Sequence, residues 1–201
     1  MSKVISDFLA GGGSPFKADH LGEGHRCSVE LVDGTVLPCV MLRKPETILA
    51  LAERRIAEEG RGKGVFSKSA NPSREMLAHF LTKGNRVNAY DIKSVTPSIY
   101  AMPLTLLEQI TGETLMSWTG FVLTMSDGHS FSYGTTFLFQ FFNLPSGYTF
   151  EEVKTVHNHA YVDETGAIRH IREDAEKWRA SLNCLPVFRE KPFFDCFLGS
   201  T

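Results

Sequence analysis

Cysteine is scarce in this chain and poorly spaced for metal or redox chemistry. Cys27, Cys39, Cys184 and Cys196 form no Cys-x-x-Cys pair, whereas structural zinc sites usually gather ligands from knuckles roughly two to four residues apart. Long apolar runs are also missing. Nothing approaches the roughly 18 consecutive apolar residues of a membrane span, and "MSKVISDFLAGGGSPF" is interrupted by Asp7 and three glycines, so it lacks a signal-peptide core. The expectation is a cytoplasmic protein with reduced thiols and no membrane contact. Charge of one sign is not in excess: the formal net charge is -2, too small for whole-molecule attraction to nucleic acid. The chain has no Walker loop, no Gly-x-Gly-x-x-Gly after a strand and no His-Glu-x-x-His, which argues against the nucleotide-dependent and zinc-protease classes.

What is abundant is phenylalanine. Fifteen Phe in 201 residues suit a sheet face packed against helices. Two Asp-Gly pairs lie between apolar runs. "CSVELVDGTVLPCVML" predicts a hairpin turning at Asp33-Gly34 through a two-residue type I′ turn, with Pro38 placing its strand at a sheet edge. In "TLMSWTGFVLTMSDGHSFSYGTTFLFQFFNL" a two-residue turn at Asp127-Gly128 pairs Ser126 with His129. That register puts Met116, Trp118 and Val122 on the face of Phe131, Tyr133, Phe137, Phe139 and Phe141. Gly120 and Gly134 fall nearly opposite one another and predict a bend or bulge.

Helical spacing predicts helices at 3–10, from Pro45 to Gly60, at 72–83, at 103–111 and along "REDAEKWRASL". The stretch "GGGSPFKADHLGEGH" reads as a loop, residues 86–92 as a short strand and "PVFREKPFFDCFL" as an extended tail. The fold class expected is therefore α+β: one domain over 1–201, an antiparallel sheet built from the Asp-Gly hairpins with short helices packed on one face. Residues 1–25 would be largely helix plus loop, and 186–201 an extended docking tail.

Two segments could carry chemistry. Eight Lys or Arg stand against three Glu between Arg54 and Arg86. Arg61, Lys63, Lys68 and Arg74 surround a glycine-rich stretch leading into a predicted helix start, a suitable place for phosphates. The other segment is "HNHAYVDETGAIRH". As a strand it would put His157, His159 and Asp163 on one face, where they could bind zinc and support a metal-dependent hydrolase. Thr149 and Glu152, however, form a capping box that predicts a helix from 150 to about 157. His157 would then sit in its last turn, with a hairpin at Glu164-Thr165-Gly166 pairing Asp163 with Ala167 and Ala160 with His170. This reading is preferred.

Ser126, Asp127, His129 and Ser130 carry the letters of a triad, but turn neighbours cannot supply its separated roles. The function expected is a non-catalytic binding or interaction protein without a cofactor. It would contact an unidentified protein, an anionic ligand or nucleic acid through Arg61 to Arg74, and the aromatic face could also join copies into a homo-oligomer.

Overall fold

The computed structural model describes residues 2–19, 22–62, 68, 70–71, 85–136, 138–173, 175–182 and 185–199. In chain order the elements are α1 (Lys3–Ala10), β1 (Pro15–Asp19), β2 (Gly22–Leu31), β3 (Val36–Arg43), α2 (Glu46–Gly60), β4 (Ile92–Pro97) and α3 (Leu104–Leu107). They continue as β5 (Thr119–Met125), β6 (Ser130–Thr135), β7 (Val153–Asn158), β8 (Ala160–Val162), β9 (Ile168–His170), α4 (Ala175–Ser181), β10 (Val187–Arg189) and β11 (Phe194–Phe197). The content is mixed α+β, with mainly antiparallel sheets, and among the described residues no helix is long and apolar enough to cross a membrane. Two compact units emerge: unit 1 comprises Met1–Pro97 with Phe193–Thr201, and unit 2 comprises Ser98–Pro192.

Unit 1 is built on β2. This long strand pairs with β3 on one side and with β1 and β4 on the other, while β11 joins β3 in parallel. The apolar stripe of α1, Ile5 with Phe8 and Leu9, packs on Cys27, Val29, Val40 and Leu42. Burial pushes the Cys27 thiol up to about 12 and the Cys196 thiol up to about 11, so both act as small apolar side chains.

Two expectations change here and a third becomes specific. The glycine-rich stretch read as a loop supplies β1 and the start of β2, because glycine offers no side-chain alternation to read. The tail forms β10 and β11, both in parallel pairs with distant strands. Pro38 does not mark an edge strand, since β3 lies between β2 and β11. It sits where β2 advances from Cys27 to Val29 while β3 advances from Leu37 to Val40, and β11 reaches only Val40 to Arg43. A bulge outside the span of the next strand can dispense with the missing N–H.

Arg43, its side chain fully buried, donates from Nε to Asp195 Oδ1 at 2.7 Å, and Arg86 Nη1 lies 3.7 Å from Asp195 Oδ2. Arg86 also stacks over Phe197 at 4.5 Å. One carboxylate on β11 thus balances charge at the end of β3.

Unit 2 has the strand order β10-β6-β5-β7, with β8 and β9 as a separate hairpin. One face of β5 and β6 presents Phe121, Leu123, Met125 and Tyr133 to a core completed by Met102, Phe142 and Phe150, with Phe131 and Phe139 half-buried beside it. Phe137 lies outside the described residues. Phe121 stacks on Tyr133 at 5.2 Å and meets Phe142 edge-on at 5.6 Å. The opposite face carries Gly120, Val122, Thr124, Ser130, Ser132 and Gly134.

This is a one-residue correction of the expected register. Thr124 pairs with Ser130 and Phe121 with Tyr133, because the connection is a three-residue loop, Ser126-Asp127-Gly128. Met125 donates its N–H to the His129 carbonyl at 2.8 Å, and Gly128 has φ 93°. Asp127 Oδ1 also accepts the His129 N–H at 3.0 Å. A three-residue loop closed by a glycine at positive φ competes with the two-residue turn for the same Asp-Gly letters. The loop after β2 is built alike: Leu31 bonds Thr35 and Gly34 has φ 88°. Slipping by one residue exchanges the faces of β5, so Met116 is 92 % exposed and Val122 and Trp118 leave the aromatic side.

Among the helices, α1 and α2 fall where spacing placed them. The expected helix at 103–111 reduces to Leu104–Leu107, and the one at 72–83 lies outside the described residues. The expected strand at 86–92 is a single bridge at Arg86, followed by β4 at Ile92–Pro97.

Candidate functional site

The chain from Thr149 to Glu173 decides how the histidines are used. The capping box at Thr149 and Glu152 is present, but it closes only a single 3-10 turn, Phe150–Glu152. The β-branched residues that follow pair with β5 instead: Thr155 faces Thr124 and Val156 faces Leu123. An open partner strand outweighs the local helical signal. His157 therefore lies in β7 and caps no helix, contrary to the preferred expectation. Its Nε2 is 3.1 Å from Thr124 Oγ1, which is itself 2.9 Å from Ser130 Oγ, making a polar row across three strands.

His159 then breaks the strand. It has φ 54°, a left-handed conformation costing about 1–2 kcal/mol for a residue with a Cβ. The surroundings hold it there. Thr114 Oγ1 lies 2.8 Å from its Nδ1, and its carbonyl accepts the Ile171 N–H at 2.7 Å. Burial, reinforced by Arg172 and His170, lowers the His159 pKa. Arg172 donates to the carbonyls of Thr114 and Glu113, fixing the 113–114 loop to the turn after β9.

Beyond His159 the hairpin of β8 and β9 pairs Ala160 with His170 and Val162 with Ile168, and Asp163 with Ala167 at 2.8 Å, the register expected from its turn. Asp163 organises the loop. Its oxygens accept from Thr165 Oγ1 at 2.6 Å, from the N–H groups of Thr165 and Ala167, and from Arg169 Nε at 2.8 Å. The Thr165 hydroxyl first, and then Arg169, hold its carboxyl well below the usual aspartate range. Its depressed folded pKa sets the sign of a pH effect. The turn's contribution is fully present above the unfolded value of about 3.9 and is lost as pH falls through the lower folded value. Asp163→Asn is therefore expected to flatten the acid limb of amide exchange in Asp163 to Ala167. An unchanged acid limb would show that the carboxylate does not order this loop.

The hairpin is bounded by two clefts. One, of about 520 Å³, lies between it and α4 and is lined by Tyr161, Asp163, Arg169, His170, Glu173 and Lys177, among others. The second, of about 460 Å³, is lined by His157, Asn158, Arg169, His170 and Glu173, with Ala160 and Ile168. Arg169, His170 and Glu173 line both. His170 Nδ1 is buried and has no hydrogen-bond partner among the described residues, and its ring centroid is 5.9 Å from that of His159.

His157, His159 and Asp163, the expected zinc ligands, are not brought together. His157 turns to Thr124, His159 to Thr114 and Asp163 to its own loop. Among the described residues no group of three or more His, Cys, Asp or Glu side chains could hold a metal ion. Of the basic segment, Arg61 and Lys68 are exposed, and Arg61 Nε donates to the Ala57 carbonyl at 3.1 Å. Lys63 and Arg74 lie outside the described residues. The triad-like letters form a surface network instead, with His129 Nδ1 at 2.9 Å and Tyr148 Oη at 2.7 Å from Asp127 Oδ2. Sequence reasoning did not place His170 in the wall of a cleft. The register that removed it from the metal site was correct, and its unsatisfied nitrogen depends on packing that no local pattern shows.

No protein-family model matches the chain, and comparison with curated proteins and with solved structures finds no match either.

Proposed function

We propose that this chain is a non-catalytic binding protein that holds a small polar ligand at the β8–β9 hairpin. The observation that carries this reading is His170: an imidazole in the wall of two clefts, with Nδ1 buried and without a partner among the described residues. An unsatisfied buried polar atom costs about 1–3 kcal/mol, and turning the ring to present a nitrogen to a group bound in the cleft would give it a partner. The reading is non-catalytic because the hydroxyls beside the neighbouring imidazoles are engaged in the sheet. Thr114 Oγ1 accepts the Gly120 N–H at 2.9 Å, and Thr124 bonds Ser130.

His170→Phe separates a ligand contact from a structural ring. With no ligand present, the variant is expected to be more stable than the parent by about 1 kcal/mol, since it removes an unsatisfied polar group while keeping a flat ring. Against a panel of small acids, amines and sugars, the compound that raises the parent's melting temperature should leave the variant's unchanged. A variant that is less stable and still binds would show that the ring serves packing alone.

A further inference from the structure

The cleft on the His157 side of the hairpin differs from its neighbour in charge. Its lining holds one full cation, Arg169, and two imidazoles, His157 and His170, beside a single carboxylate, Glu173. Asp163 and Glu164, with Lys177, line only the other cleft, and Asp163 is already matched by Arg169 Nε at 2.8 Å. That ion pair fixes the guanidinium by one nitrogen and leaves its two terminal nitrogens without partners among the described residues. A fork of this kind suits an oxyanion. His157 is likewise oriented by one nitrogen, with Nε2 against Thr124 Oγ1 at 3.1 Å, while Nδ1 makes no bond among the described residues. The Asn158 side chain is not a competing contact: Oδ1 accepts the Thr111 N–H and Nδ2 donates to the Gln109 carbonyl.

We infer that this cleft binds an oxyanion group, a carboxylate or a tetrahedral sulfate- or phosphate-type group, between the Arg169 guanidinium and the imidazoles of His157 and His170. The inference rests on the binding reading above and adds the ligand's chemical class and the side of the hairpin on which it sits.

The test uses sulfate, acetate and guanidinium as probes, each titrated into the full chain at constant ionic strength with chloride. Binding is followed through the imidazole signals of His157 and His170 in NMR. Sulfate or acetate should shift both signals saturably; the tighter of the two distinguishes a tetrahedral from a planar group. Arg169→Gln should weaken that binding on the order of tenfold, and Glu173→Gln, which removes the one opposing charge, should tighten it several-fold. Because Glu173 is exposed, its variant tests the sign of the site without disturbing the fold. Saturable binding of guanidinium that is lost in Glu173→Gln would overturn the oxyanion assignment while leaving a binding site at the hairpin. If the three ions and the whole ligand panel leave both signals unmoved, the oxyanion assignment and the binding reading fall together.

Discussion

Replacing Asp195 by alanine is expected to cost about 3–5 kcal/mol, because it leaves the buried Arg43 guanidinium without its carboxylate. The Arg43 side chain has 0 % exposure and that of Asp195 15 %, so water cannot take over the role of the lost partner. Arg86, 3.7 Å from the other oxygen, adds a second cation that the substitution would leave beside the first. Asp195→Asn should fall between parent and alanine, since an amide oxygen still accepts from Arg43 Nε but carries no charge. The measurement is the denaturant midpoint of unit 1, followed by amide exchange of β3 and β11. A loss below about 1 kcal/mol would place this pair with exposed ion pairs, whose removal costs little.

The second large effect is expected at Gly134. Gly120 and Gly134 pair directly across β5 and β6, and the Trp118 indole sits against both. A Cβ added at Gly134 would stand 1.9 Å from Trp118 Cζ2 and 2.5 Å from Cη2, far inside contact distance. The ring cannot slide away freely, since Arg189 stacks over it at 4.5 Å and Trp178 meets it at 6.1 Å. Gly134→Ala is thus expected to destabilise unit 2 by about 3 kcal/mol, at the upper end for an overpacked site. In a Trp118→Ala background the same change should be nearly neutral, a coupling that a double-mutant cycle reads directly. Equal costs in the two backgrounds would remove the indole from the explanation. At Gly120 the nearest atom is Ile171 Cδ1, the end of a side chain, at 2.6 Å, and the indole Nε1 stands off at 3.2 Å, so alanine should be tolerated better there.

These glycines also show how far the sequence could be read. Their opposition was legible and suggested a bend; their service as a seat for Trp118 was not, because the indole reaches them only after the turn at Leu115–Trp118 folds it back. The hairpin of β8 and β9 could be read to the residue, since Glu164-Thr165-Gly166 admits one good loop length and fixes every pair beyond it. Ser126-Asp127-Gly128 admits two, and the choice of the longer exchanged the faces of a whole strand. His159 at positive φ left no signal, because left-handed backbone is announced by glycine or asparagine and here Thr114, 45 residues away, imposes it. The parallel strands β10 and β11 were hidden for the same reason: what makes them strands is a partner far along the chain. The candidate site was therefore half visible. The histidine-rich segment could be singled out from its letters, but the place of His170 in the wall of two clefts emerged only from the packing around it.

The interruption of unit 1 by unit 2 has a bearing on the order in which the molecule is assembled. Unit 2 is continuous in sequence, whereas the parallel partner of β3 belongs to a segment whose Asp195 lies 152 residues beyond Arg43. During synthesis β2 and β3 leave the ribosome before β11, with Val40 and Leu42 along an unfinished sheet margin and Arg43 lacking its counter-charge. The intervening residues can meanwhile complete their own core. Closure of unit 1 is then the step of greatest loop length and the slowest to nucleate, so the nascent chain spends its most aggregation-prone interval waiting for four residues, Phe194–Phe197.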